Sequence, residues 1–285
     1  MFFRYWSIVQ RPNNFGIMGR SHQGGPCRRC HGMKVGPAKG SMSGLGNVRM
    51  SSIKALTCDT GGTILDWHSG ISAKLSETGK RRGIEADWPS ITNDYRRRSL
   101  MAMTGGDADF QPDFNIDDVH RRQIEIVSKQ HELHPFTNTD FDEIRDAWHG
   151  LKCWPDVPDG LARLRRKYIV ASLTILSFRL IIDSCKPAGI VWDAVLSCEA
   201  IGHYKMRPQP YLKAAKWLHL EPPECLMVAA HPADLIAASQ VGFKTALINR
   251  PLEWGPRAGP PTARDDFKTD YTVEGFDELA SVMGC

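Results

Sequence analysis

No run of eighteen apolar residues occurs in this chain of 285, so no segment is long and apolar enough to cross a membrane as a helix. No apolar stretch near the start has the length of a secretory h-region, which argues against export. Metal-like and disulfide-like spacings are missing from Cys58, Cys153, Cys185, Cys198, Cys225 and Cys285, which makes reduced core thiols and a cytoplasmic location the expectation. Asp and Glu are absent from residues 1–50, where eight Lys or Arg occur. Of the 36 basic residues, the other 28 face all 32 acidic ones in residues 51–285, a net of −4. The overall charge of +4 therefore belongs to the leader, and nothing marks the body as a nucleic-acid binder.

Nine glycines and no sustained periodicity give residues 1–50 the pattern of a disordered basic extension. Two origins stay open for it: a transit peptide, or a true translation start at Met50. Cys27-Arg-Arg-Cys30-His31 has the spacing of a haem-attachment site. A chance match is the preferred reading, because haem attachment needs export and a packed pocket.

The body, with apolar residues at 42% of the whole chain, has material for a sizeable core. The most informative stretch is Ala55-Leu-Thr-Cys-Asp59-Thr-Gly-Gly62-Thr63. An apolar run ends at a carboxylate and two glycines follow, which reads as a buried strand delivering Asp59 into a tight turn. Gly61 and Gly62 permit a sharp bend, and their N–H groups are placed to face an anion. Helical periodicity then runs from about 68 to 149, in segments 68–82, 90–104, 117–134 and 139–149, with a loop at 104–116. From Trp154 strands alternate with helices: strands at 168–174, 194–197, 225–229, 245–248 and 271–273, helices at 159–166, 179–188, 210–218, 233–241 and 277–283, and a Pro/Gly-rich loop at 250–267. This alternation predicts an α/β fold, a Rossmann-like, doubly wound parallel sheet. Residues 51–66 and 151–285 form the core in this reading, and 67–150 form a helical cap inserted over the strand ends.

Four features stand in order: Asp59 with Thr63 four residues on, a strand ending in Thr174, Tyr204-Lys205, and His231-Pro-Ala-Asp234 behind a strand. Together with Trp192-Asp-Ala they resemble the haloacid dehalogenase superfamily, specifically its type II 2-haloacid dehalogenases, over roughly residues 53–260. The resemblance implies that Asp59 attacks the α-carbon of a 2-haloacid, expels halide and leaves an ester that water hydrolyses. Lys205 would keep Asp59 ionised, Thr63 and Thr174 would supply hydroxyls, and Asp234 would orient or deprotonate the water. Arg96, within Tyr95-Arg-Arg-Arg98, matches a cap arginine that stabilises the departing halide, and Tyr211 matches an active-site tyrosine. Gly62 and His231 complete the expected substrate side. The resemblance further implies no cofactor, no metal, a small-molecule 2-haloacid substrate and a homodimer.

Several positions keep two readings. A basic run such as 96–98 is usually a solvated helix face. Asp234 also suits a helix N-terminus. Thr174 is selected over Ser172 and Ser177 by counting back from Gly189. His231 fits a structural histidine as well as a catalytic one, and Tyr211 fits simple packing. Departures from the pattern matter too. Phosphatases of the superfamily carry an acid where this chain has Gly61 and another where it has Ala230, which argues against Mg²⁺ chemistry. Dehalogenases usually carry an aromatic at Gly61, Asn at Ile175, Pro at Met206 and often Trp at Ala233, so the pocket is expected to be enlarged. The rival functions are a Mg²⁺-dependent phosphohydrolase of the same superfamily and a non-catalytic binding protein on this fold.

Overall fold

Each strand is a short apolar run because both faces of the sheet are covered, the condition of a parallel sheet. In a computed structural model, residues 52–104, 115–257 and 267–285 are described. The leader with Met50 and the Cys27–His31 motif lies outside them, as do the centres of the two expected loops, 105–114 and 258–266. Among the described residues six strands pair in the order β3-β2-β1-β4-β5-β6, all parallel. They are β1 (Ala55–Cys58), β2 (Ile169–Thr174), β3 (Ala194–Ser197), β4 (Cys225–Ala229), β5 (Lys244–Ile248) and β6 (Tyr271–Val273).

The helices are α1 (Trp67–Arg82), α2 (Trp88–Thr104), α3 (Ile116–Gln130), α4 (Asn138–Asp146), α5 (Val157–Leu164), α6 (Phe178–Cys185), α7 (Cys198–Ile201), α8 (Pro208–Trp217), α9 (Pro232–Gln240) and α10 (Phe276–Val282). The side-chain period of two divides the sheet residues cleanly. Leu56, Cys58, Val170, Leu226 and Val228 join the core cluster that also holds Trp67, Ile71, Ile124, Ile144, Trp148 and Phe276. Ala171, Leu173, Cys225, Met227 and Ala229 join a second cluster with Tyr211 and Ala214 of α8 and Leu235 and Ala238 of α9. Helices thus cover both faces, as the alternation predicts.

Local signals set most helix ends. Asp66 caps α1, accepting from Ser69 N at 3.1 Å, and Gly83 ends it at φ 70°. Thr137 and Asp140 form a reciprocal capping box on α4. The differences from expectation are at boundaries. The helix expected to run to 134 stops at Gln130, where Glu132 takes φ 55°. The segments expected as helix to 149 and to 188 finish as 3₁₀ turns at 147–150 and 186–188. The four-residue α7 was too short for periodicity to show.

The helical block α1–α4 leaves and rejoins the sheet through two strands of chain lying side by side. Asp66 N donates to Lys152 O at 2.8 Å and Trp154 N to Ile64 O at 2.9 Å. Asn93 of α2 also donates to the Trp254 carbonyl at 3.0 Å. The block is therefore pinned near the ends of β1 and β4, where the strand order reverses and such sheets form a crevice.

Candidate active site

Asp59 is the first residue beyond β1, and its N–H still pairs with Val228 O of β4 at 2.9 Å. The chain then turns back at once: Ile64 N and Leu65 N both donate to Thr60 O, at 3.0 and 2.9 Å. This turn places Thr63 beneath the carboxylate, so that its hydroxyl donates to Asp59 Oδ2 at 2.7 Å while accepting from Ala230 N at 2.9 Å. Lys205, 4% exposed, donates from Nζ to Asp59 Oδ1 at 2.6 Å and to Asp234 Oδ2 at 2.8 Å. Asp234 sits in the first turn of α9, and its other oxygen accepts from Tyr211 OH at 2.5 Å. His231, the residue before α9, directs Nδ1 at Asp59 Oδ2 from 3.2 Å.

Burial by itself pushes a carboxyl up, yet Lys205 first and His231 next outweigh it and hold Asp59 well below the ordinary carboxylate range. Burial opposes the charge on Lys205 as well, but Asp234 and Asp59 raise it above the usual lysine range. Asp59 is thus a permanent anion between two cations. The neighbouring Cys198 thiol is pushed up to about 12, chiefly by burial, and the fully buried Cys58 higher still, so neither competes as a nucleophile.

The structure brings Asp59, Thr63, Lys205, Tyr211, His231 and Asp234 into one hydrogen-bonded network. Thr174 stands beside it: its hydroxyl pairs with Thr60 Oγ1 at 2.6 Å and accepts from Leu176 N at 3.0 Å. Ser177, its rival, is spent capping α6 through Leu180 N at 3.2 Å. Arg96 turns inward and is 3% exposed, so the basic run is not wholly a solvated face. Its guanidinium lies over the rings of Trp67 and Trp148, at 5.5 and 5.3 Å, and its Nε and Nη1 have no hydrogen-bond partner. Arg97 stacks on Trp254 and Arg98 pairs with Asp94.

Two expectations need correction. The Gly62 N–H does not turn toward an anion; it donates to Leu65 O at 3.0 Å. What Gly62 supplies instead is clearance, since at φ 91° a Cβ would stand 2.1 Å from Glu253 Oε1. The room beside Gly61 is likewise not open pocket: a Cβ there would meet Arg96 Nη2 at 3.1 Å and Leu176 Cδ1 at 3.7 Å. The absence of proline after Lys205 also has a backbone reason, because Met206 takes φ 71°, which the proline ring forbids.

Sequence reasoning missed Glu253, which is 2% exposed. Its Oε1 accepts from His231 Nε2 at 2.9 Å and from Trp67 Nε1 at 3.1 Å. It lies in a Pro/Gly-rich loop whose spacing points to nothing. Trp67 had a faint signal, standing directly after the Asp66 cap. The donor set does not suit a divalent ion. Ala230 offers no carboxylate, both oxygens of Asp234 are engaged, and the Lys205 ammonium fills the place between the two aspartates. Among the described residues no group of three His, Cys, Asp or Glu side chains is arranged to hold a metal.

Known proteins resemble this chain in sequence and fold. The family model for haloacid dehalogenase-like hydrolases matches residues 53–242. (S)-2-haloacid dehalogenase 4A of Burkholderia cepacia is 27% identical over 235 residues, 81% of this chain and 94% of its own. A phosphoglycolate phosphatase of Aquifex aeolicus is 25% identical over 201 residues, 68% of this chain and 84% of its own. The crystal structure of a defluorinating L-2-haloacid dehalogenase is similar with a TM-score of 0.74 at 31% identity, covering 82% of this chain and 96% of that one.

Proposed function

The chain belongs to the haloacid dehalogenase-like hydrolases, and on that premise we propose that it hydrolyses 2-haloacids to 2-hydroxy acids, without a metal, through an ester on Asp59. One observation carries this reading. The Lys205 ammonium lies between Asp59 and Asp234, 2.6 and 2.8 Å from their oxygens, and Gly61 and Ala230 add no carboxylate beside them with which to hold a divalent ion. In this reading the helices of residues 67–150 are a cap over the core.

An Asp59 oxygen attacks the α-carbon as the carbon–halogen bond breaks, and the halide leaves with the bonding electrons. Arg96, buried and short of acceptors, stabilises that anion. Water then adds to the Asp59 carboxyl carbon. The Cγ–O bond to the substrate breaks, one proton of the water passes to the departing oxygen and the other to solvent, the product leaves as the 2-hydroxy acid, and Asp59 keeps the oxygen from water as a carboxylate. Each Asp59 oxygen faces a cationic donor, Lys205 on Oδ1 and His231 on Oδ2. Whichever becomes the ester oxygen, the carbonyl oxygen retains one to stabilise the tetrahedral anion. Asp234 keeps Lys205 charged and in place.

The test is halide release from (S)-2-chloropropionate in EDTA. Wild type is expected to release halide, and Asp59→Asn to lose on the order of 10⁴-fold, as loss of a nucleophile does. Failure to release halide, with turnover of a phosphate ester that EDTA abolishes, would replace this reading with a metal-dependent phosphohydrolase.

A further inference from the structure

Glu253 belongs to no strand or helix, yet its place is closely determined. Arg250 anchors the turn: its guanidinium grips both oxygens of Asp156 at 2.8 Å, and its Nε donates to Thr63 O at 3.0 Å. Glu253 N donates to Arg250 O at 3.1 Å, and the carboxylate is carried in over the bare α-carbon of Gly62. One carboxylate oxygen, Oε1, takes both donors, while the buried Oε2 has no hydrogen-bond partner. An orphaned buried carboxylate oxygen is costly and asks for a compensating role.

We propose that Glu253 is a positioning residue. Its carboxylate holds the His231 imidazole so that Nδ1 aims at Asp59 Oδ2, and its bond from Trp67 makes that alignment depend on the seating of α1. This rests on the dehalogenase reading for the reaction, though not for the contacts.

With Nε2 facing one carboxylate and Nδ1 another, both ring nitrogens act as donors and the ring is an imidazolium. Burial opposes that charge, but Glu253 first and Asp59 after it raise His231 well above the ordinary histidine range. The remaining charges of the site act through these two: Lys205 pairs with Asp59, Asp234 pairs with Lys205, and the field of Arg96 falls on Glu253 and Asp59. Esterification removes the negative charge of Asp59. From that moment Glu253 is the one carboxylate still bonded to His231. It keeps the ring charged and aimed while water adds to the ester, with no proton passing between them.

The experiment combines histidine ¹⁵N NMR with kcat and KM for 2-chloropropionate across pH, in wild type, Glu253→Gln, His231→Asn and the double variant. Glu253→Gln is expected to lower the His231 titration midpoint by about one unit or more. It should also lower kcat about tenfold with KM nearly unchanged, and move the alkaline limb of the kcat profile down in step. In the His231→Asn background the same change should cost less than about twofold, because the two act as a unit. Glu253→Asp, which keeps the charge one methylene back, should hold the midpoint within about half a unit of wild type and recover part of kcat. An unchanged His231 midpoint, or an undiminished loss in the His231→Asn background, overturns the proposal. If no variant and no wild type releases halide while the midpoint still falls, the dehalogenase reading fails and the positioning of His231 stands.

Discussion

On the sheet side of the site every carboxylate oxygen of Asp59 and Asp234 meets a donor at 2.5–2.8 Å. On the helical side Arg96 is as deeply buried, yet two of its nitrogens meet no acceptor and its neighbours are the faces of Trp67 and Trp148. Behind it His120 stacks on Trp148 at 4.0 Å with neither ring nitrogen bonded. Burial lowers the affinity of Arg96 for its proton, opposed by Glu253 and Asp59. The aspartate pair is fully supplied with donors; the helical wall carries a cation two of whose nitrogens lack acceptors. A complete wall stabilises the fold and prepares the nucleophile. An incomplete one costs stability and recovers it when charge arrives, as expected of groups that act on a transition state.

The comparison breaks most visibly at Lys205. Lys205→Met leaves two buried carboxylates facing each other, and a loss of about 3–5 kcal/mol is expected in urea unfolding, together with halide release. The pH dependence follows from the depressed Asp59. Its contribution is fully present above the unfolded value of about 3.9 and is lost as pH falls through the lower folded one. The variant's facing carboxylates take up a proton that wild-type Asp59 refuses, so the stability gap between wild type and Lys205→Met should narrow steadily as pH falls. A gap independent of pH would mean that the ion pair contributes little.

Arg96→Met should behave in the opposite way. Halide release is expected to fall by about 10²–10³-fold, the loss typical of a transition-state donor. The melting temperature should stay level or rise, since an underpaired buried cation gives way to an apolar side chain of similar length. A large drop in melting temperature would show that Arg96 is structural and that the two walls are alike. Gly61→Ala gives the smallest effect. Its methyl meets the far end of the Arg96 side chain at 3.1 Å, so a few-tenths shift of the guanidinium suffices. KM should rise severalfold, with unfolding changed by less than about 1 kcal/mol. No change in KM would place substrate away from Arg96.

The strands, the order of helices and Asp59 were legible because each rests on short-range pattern: apolar runs, capping residues, a glycine turn after a carboxylate. Lys205 and Asp234 were legible through the family resemblance of their phrases, while their direct contact across 29 residues emerges only in the folded chain. Arg96 could be named but not distinguished from Arg97 and Arg98, because rotation of α2 against the sheet selects which one points inward. Glu253 could not be found, since it is 186 residues from Trp67 and sits on irregular chain where no period applies.

Periodicity and turn chemistry are properties of neighbouring residues, so the chain read as text already settles a parallel α/β sheet with a helical insertion and a carboxylate at the end of β1. The charge state of that carboxylate, the inward turn of Arg96 and the partnership of Glu253 with His231 depend on burial and on contacts between distant segments. Coulomb energies change severalfold with the surrounding dielectric and with ångström shifts, and both quantities come into being when the sheet and the helical block close on each other.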